Sequence, residues 1–142
     1  MGQEMRAQGW EKALAEYIEK QADQPFVWGQ NDCILFASRA ADIILERDLL
    51  PEIEQYGNYD HDKAAEILEQ FGGNIEGIFD RHFKRHENVN LAKRGDIAVV
   101  QWGAVKAAGV VDGRIVRCKT EKGLIGIPAR NIVTAWNIEV KA

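Results

Sequence analysis

Apolar residues recur every three or four positions up to about residue 90 and every second position after Gly95, a change of period that predicts helices first and a sheet second. Trp10, Ala13, Leu14, Tyr17 and Ile18 are interleaved with Glu11, Glu16, Glu19 and Lys20, which predicts an amphipathic helix over about residues 4–21 with its stripe on a core. Cys33-Ile-Leu-Phe-Ala-Ser-Arg-Ala-Ala-Asp-Ile-Ile-Leu45 has the length and content of a buried helix. Gly29 suits a left-handed turn before it, and Asn31 and Asp32 suit its cap. The periodic run ends at Asp48-Leu-Leu-Pro51, and the chain to Tyr59 reads as irregular. Asp60 caps a helix bearing Ala64, Ile67, Leu68 and Phe71 on one face and stopped by Gly72-Gly73; another starts at Asn74 with Ile75, Ile78, Phe79, His82 and Phe83 on one stripe.

Asp96-Ile-Ala-Val-Val-Gln-Trp102 is apolar on both faces and reads as a central strand. Ala108–Val111 and Arg114–Cys118 flank Asp112-Gly113, a type I′ hairpin signal, and Gly123–Ile127 is a short strand stopped by Pro128. In the last strand Ile132, Thr134, Trp136, Ile138 and Val140 fall on one side, with Asn137 and Glu139 on the other. The pattern predicts one α+β domain over residues 1–142: a helical half at 1–90 and an antiparallel sheet of about five strands, made of local hairpins, at 95–142.

The 142 residues suit one core, and 46% hydrophobic with 28% charged residues is the balance of an ordinary globule. A net charge of −4 argues against a general nucleic-acid binder, and the local basic run Arg81, Lys84, Arg85, Lys93 and Arg94 reads as a solvated face. No apolar stretch is long enough for a membrane span, the N-terminus lacks an apolar signal core, and Arg6 breaks the myristoylation pattern. The expected place is the cytoplasm or a particle assembled there.

Cys33 carries the candidate chemistry. On the first turn of a helix the free N–H groups and the dipole favour a thiolate, so a thiol pKa of ~8.5 falls by a unit or more. The competing reading is an inert core thiol, because free cysteine is among the most buried residue types. Cys118 reads as strand filler, and two cysteines so far apart make neither a disulfide framework nor a metal knuckle. His82 and His86 stand one helical turn apart, the spacing of a two-ligand metal face, but no third ligand accompanies them. His82, on the apolar stripe, reads as a core or boundary histidine, and His61 as a solvated one. No metal or cofactor is expected.

Pro25-Phe-Val-Trp-Gly29, then Asp32-Cys33, then Arg94-Gly-Asp-Ile-Ala-Val-Val100 resemble, in this order, the NlpC-like cysteine hydrolase superfamily, whose fold is papain-like. Its members commonly show Tyr-x-Trp-Gly, an Asp-Cys pair opening a helix, and a Pro-Gly-Asp-Leu start to a strand. With Gly123-Leu and an Ala-Trp near the C-terminus, the chain looks more closely like a group encoded among bacteriophage and prophage tail genes. The resemblance spans about residues 10–140. It implies a papain-like NlpC fold, Cys33 as nucleophile towards γ-D-glutamyl links of peptidoglycan peptides, Asp32 as the cap beside it, and Trp28 and Phe26 at the groove. A strand histidine acts as base in that superfamily, with a third residue to orient it.

Three departures bear on activity. The stretch aligned with the superfamily's His-Val-Gly-Ile strand is Lys106-Ala-Ala-Gly-Val-Val111, which has no histidine; Phe26 replaces the motif tyrosine; and Ile34-Leu35 follow the cysteine where small residues are usual. A general base contributes ~10²–10⁴ in rate, so its loss leaves acyl transfer very slow. Asp32 is a poor substitute, since a capping carboxylate is held ionised by backbone N–H groups. Asp96 is expected to fix the loop before the central strand. Trp28 either lines the groove or fills the core beneath it.

The expectation is a catalytically degenerate tail-tip or tail-assembly protein, located in the virion tail after assembly in the host cytoplasm, with other phage tail proteins as partners. The alternative is an active cysteine hydrolase of peptidoglycan peptides as the phage enters its host, with His82 or His61 recruited as base.

Overall fold

A computed structural model describes residues 5–28, 30–47 and 75–141. The expected helix capped by Asp60, together with His61, the irregular stretch before it, Gly29 and Asn74, lies outside the described residues.

The first helix, α1, spans Trp10–Gln21. It starts later than its periodicity predicts because Gly9 takes a left-handed φ of 79°, which breaks the helical path. The preceding residues serve another end: Ala7 N donates to Ile44 O at 2.7 Å, and Arg6 reaches the sheet. Helix α2 spans Cys33–Leu45 as its pattern predicts. Asp32, extended at φ −109°, accepts a bond from Leu35 N and satisfies one of the free amides of the first turn. Beyond Leu45 the chain turns through Glu46, left-handed at φ 51°. Leu35, Phe36, Ala37, Ala40, Ala41 and Ile44 are buried, and Tyr17 of α1 stacks on Phe36 at 5.3 Å while its hydroxyl donates to Phe36 O.

The predicted helix from Asn74 is cut short. Helix α3 covers Glu76–Asp80 only, and Phe83–Arg85 form a strand, β1, so His82 and His86 do not share a helical face. Tertiary pairing overrides the local periodicity. Lys84 and Arg85 pair with Asn137 and Trp136 of the last strand, and Asp80 accepts from both Arg85 and the Trp136 indole.

The remaining strands are β2 (Ile97–Trp102), β3 (Val105–Asp112), β4 (Ile115–Thr120), β5 (Gly123–Pro128) and β6 (Ile132–Lys141). Among the described residues they form one antiparallel sheet with the order β1-β6-β2-β3-β4-β5, six strands rather than about five, and not from local hairpins alone, since β6 returns across the sheet to lie between β1 and β2. The β3–β4 loop is Gly113-Arg114, one residue later than the Asp112-Gly113 signal, with Gly113 at φ 69° and Asp112 paired to Ile115.

Each face of the sheet has its own core. Ile97, Val99, Ala108, Val110, Trp136 and Ile138 meet the helices, whereas Ala98, Val100, Ala107, Val116, Cys118 and Ala135 form a second cluster. Ile132 packs on that second cluster and not beside Trp136 as strict alternation implies. A register shift between Val99 and Val100 pairs Thr134 with Val99 but Ile132 with Val100, which changes the face. Gly109 is required where β3 crosses β4: a Cβ there would lie 2.3 Å from Arg117 O and 2.6 Å from Cys118 Sγ. Lys119, fully buried, donates Nζ to Gln21 O at 2.6 Å and to Gln24 O, and so satisfies carbonyls at the end of α1.

Candidate functional site

Cys33 occupies the first turn of α2, half-buried, with Asp32 buried beside it. The helix packs on β3, which brings the main chain of Ala108 to the sulfur. Burial pushes the Cys33 thiol up to about 12, and the neighbouring Asp32 charge acts in the same direction. Backbone amides of Ala108, Ile34 and Cys33 itself pull the other way, as the helix terminus predicts, but desolvation outweighs them. Burial thus favours the inert core thiol of the two readings over the thiolate. Among the described residues no histidine is one of the groups that shift it, and His61 lies outside them.

Of the two histidines considered for a base, His61 lies outside the described residues, and His82 is half-buried with its ring 6.3 Å from that of Phe83. His86 is committed elsewhere: its Nε2 meets Asp96 Oδ2 at 2.8 Å. Lys106, at the start of β3, places Nζ 3.3 Å from Oε2 of the buried Glu76. Ala107 and Ala108 follow it with side chains that carry no proton-transferring group.

The aromatic residues of the motif are together. Phe26 packs edge-on against Trp28 at 4.9 Å, both half-buried, and the Trp28 indole N–H donates to Glu121 Oε1 in the β4–β5 turn at 3.1 Å. The next residue of that turn, Lys122, lies over the Trp102 ring at 5.8 Å. A depression of 320 Å³ is lined by Gln21, Gln24, Pro25, Val27, Gln30, Asn31 and Arg39, and Cys33 is not part of it. Among the described residues no group of three His, Cys, Asp or Glu side chains could hold a metal ion. No helix among them is long and apolar enough to cross a membrane.

An extensive polar cluster among the described residues was invisible as a unit in the sequence. Asp96, fully buried, accepts from Arg6 Nη2 at 2.9 Å and from Lys93 N at 3.1 Å in addition to its contact with His86. Arg6 also pairs through Nε with Glu139 at 2.8 Å, donates to Arg94 O, and lies 4.4 Å over the Trp10 ring. Gly95, at φ 93°, leaves the space that Arg6 and Trp10 fill, since a Cβ would stand 2.5 Å from Arg6 Nη1. The Gly-Asp pair before β2 was the legible signal; its partners come from residues far away in sequence. This cluster ties the segment before α1 to the sheet.

The chain matches, over residues 5–138, the family described as domain of unknown function DUF6950, and it belongs to that family. No curated protein and no solved structure matches it.

Proposed function

We propose that this member of the DUF6950 family is a catalytically silent NlpC-like domain that serves as a structural, partner-binding component of a bacteriophage tail. The supporting observation is the burial that pushes the Cys33 thiol up to about 12, with the main chain of Ala108 against it and, among the described residues, no imidazole acting on it. Covalent catalysis by a thiol needs a thiolate and a base to pass its proton to the leaving amine. Here the helix terminus is kept, burial disfavours the thiolate, and no described histidine acts on the sulfur, which supports the silent reading. The papain-like reading is supported by the order of elements, a cysteine-headed helix packed on an antiparallel sheet. The tail setting and the other tail proteins as partners rest on the resemblance of the Trp-Gly, Asp-Cys and Gly-Asp motifs.

The test is incubation of the purified chain with peptidoglycan fragments carrying γ-D-glutamyl links, followed by mass spectrometry, alongside proteomics of purified particles from the phage that encodes it. No product and presence of the chain in the particle are expected. Cleavage that disappears in Cys33→Ala overturns the silent reading in favour of a hydrolase, and absence from the particle overturns the tail assignment.

A further inference from the structure

Strand β5 is one border of the sheet and, among the described residues, pairs on one side only, with β4. Proteins normally blunt such a border with charges, a bulge or a very short strand. The opposite border is blunted in this way, since β1 has three residues and a register shift. By contrast, Gly123-Leu-Ile-Gly-Ile127 carries no charge, and its ladder with β4 runs without a shift from Thr120–Gly123 to Ile115–Pro128.

The direction of its backbone groups follows from the turn. Thr120 and Gly123 enclose a two-residue loop and so form a hydrogen-bonded pair, which by alternation turns the N–H and C=O of Leu124 and Gly126 away from β4. We propose that two copies of this chain join β5 to β5, antiparallel about a two-fold axis at Ile125, into one continuous sheet. In that register Leu124 faces Gly126 of the second copy, Gly123 faces Ile127, and Ile125 faces itself. A large side chain meets glycine at each flanking pair, no like charges are opposed, and the outward backbone groups of Leu124 and Gly126 are the ones that bond.

The neighbouring registers are worse. Facing residues around such an axis share a side of the sheet, so the register moves in steps of two. Centring on Gly126 sets Leu124 against Pro128, which has no N–H to give. Centring on Leu124 draws in Lys122 and Glu121 of the turn, the latter against Ile127. With the axis at Ile125, the exposed Glu121 instead comes level with Ala129 of the second copy, one residue from its exposed Arg130.

Sedimentation of the full chain tests the contact, with two variants. A non-hydrogen-bonded antiparallel pair has Cα atoms about 4.5 Å apart, within disulfide range, so oxidised Ile125→Cys is expected as a covalent dimer whereas Val133→Cys, exposed elsewhere, stays monomeric on a denaturing gel. Gly126→Pro removes an N–H that β4 does not use, and is expected to weaken dimerisation by about 30-fold, two lost hydrogen bonds, with an unchanged circular dichroism spectrum. A wild-type chain that is monomeric at millimolar concentration overturns the proposal. So does a dimer in which Ile125→Cys fails to cross-link, whichever way Gly126→Pro folds.

Discussion

His86 Nε2 stands 2.8 Å from Asp96 Oδ2, and the other oxygen of that fully buried carboxylate is held by Arg6 Nη2 at 2.9 Å. One carboxylate thus joins the entry to β2, the residue following β1 and the segment before α1. Its removal leaves a guanidinium with 7% side-chain exposure without its main counter-charge. Asp96→Ala is therefore expected to lower the unfolding free energy by about 3–5 kcal/mol, measured by urea denaturation. Coupling in the double-mutant cycle with Arg6→Ala should exceed about 1 kcal/mol. Additive effects would show that the two residues act separately.

Gly109 offers a second test, on the β3–β4 ladder. A methyl group at this position meets a carbonyl oxygen of the neighbouring strand, which cannot move without disturbing the ladder. Gly109→Ala is expected to cost about 1–3 kcal/mol, in contrast to the stabilisation usual for Gly→Ala at open sites. A thermal melt unchanged from wild type would refute the close approach.

Alkaline pH should destabilise the fold. Burial raises Cys33 to about 12, and also raises Cys118 and Tyr17, so the folded chain holds protons that the unfolded chain releases near its ordinary thiol and phenol values of about 8.5 and 10. With more protons bound in the folded state, the unfolding free energy falls as pH rises above those unfolded-state values. Urea midpoints measured from pH 7 to about pH 10 should decline, and Cys33→Ala should reduce the slope. A midpoint independent of pH contradicts the buried-thiol assignment.

The same thiol makes a kinetic prediction. At pH 8 a group with its pKa near 12 has a thiolate fraction lower than that of a free cysteine by on the order of 10³. Iodoacetamide should therefore modify Cys33 in the folded protein far more slowly than in urea. Rapid labelling of the folded chain at pH 6 would instead point to an activated nucleophile.

Asp32 separates capping from charge. Asp32→Asn keeps a side-chain acceptor for Leu35 N and should fold nearly as well as wild type, while Asp32→Ala should cost about 1 kcal/mol in urea denaturation. Because the Asp32 charge helps to hold the thiol neutral, the Asn variant should also alkylate faster at Cys33.

Local patterning determined α2 and its Asp32 cap, the strand character after Gly95 and the half-buried last strand, because a helix start and an alternating strand are encoded within a few neighbouring residues. The conversion of Phe83–Arg85 from expected helix to border strand, and the change of face at Ile132, were decided by pairing with β6 and β2, partners that periodicity does not name. The site divides in the same way. Cys33 at a helix head could be read from the chain, but its protonation depends on how deeply α2 presses the sulfur against Ala108, and desolvation is a property of packing rather than of sequence. The joining of Arg6, His86 and Asp96 likewise exists only once three distant segments are brought to one buried point.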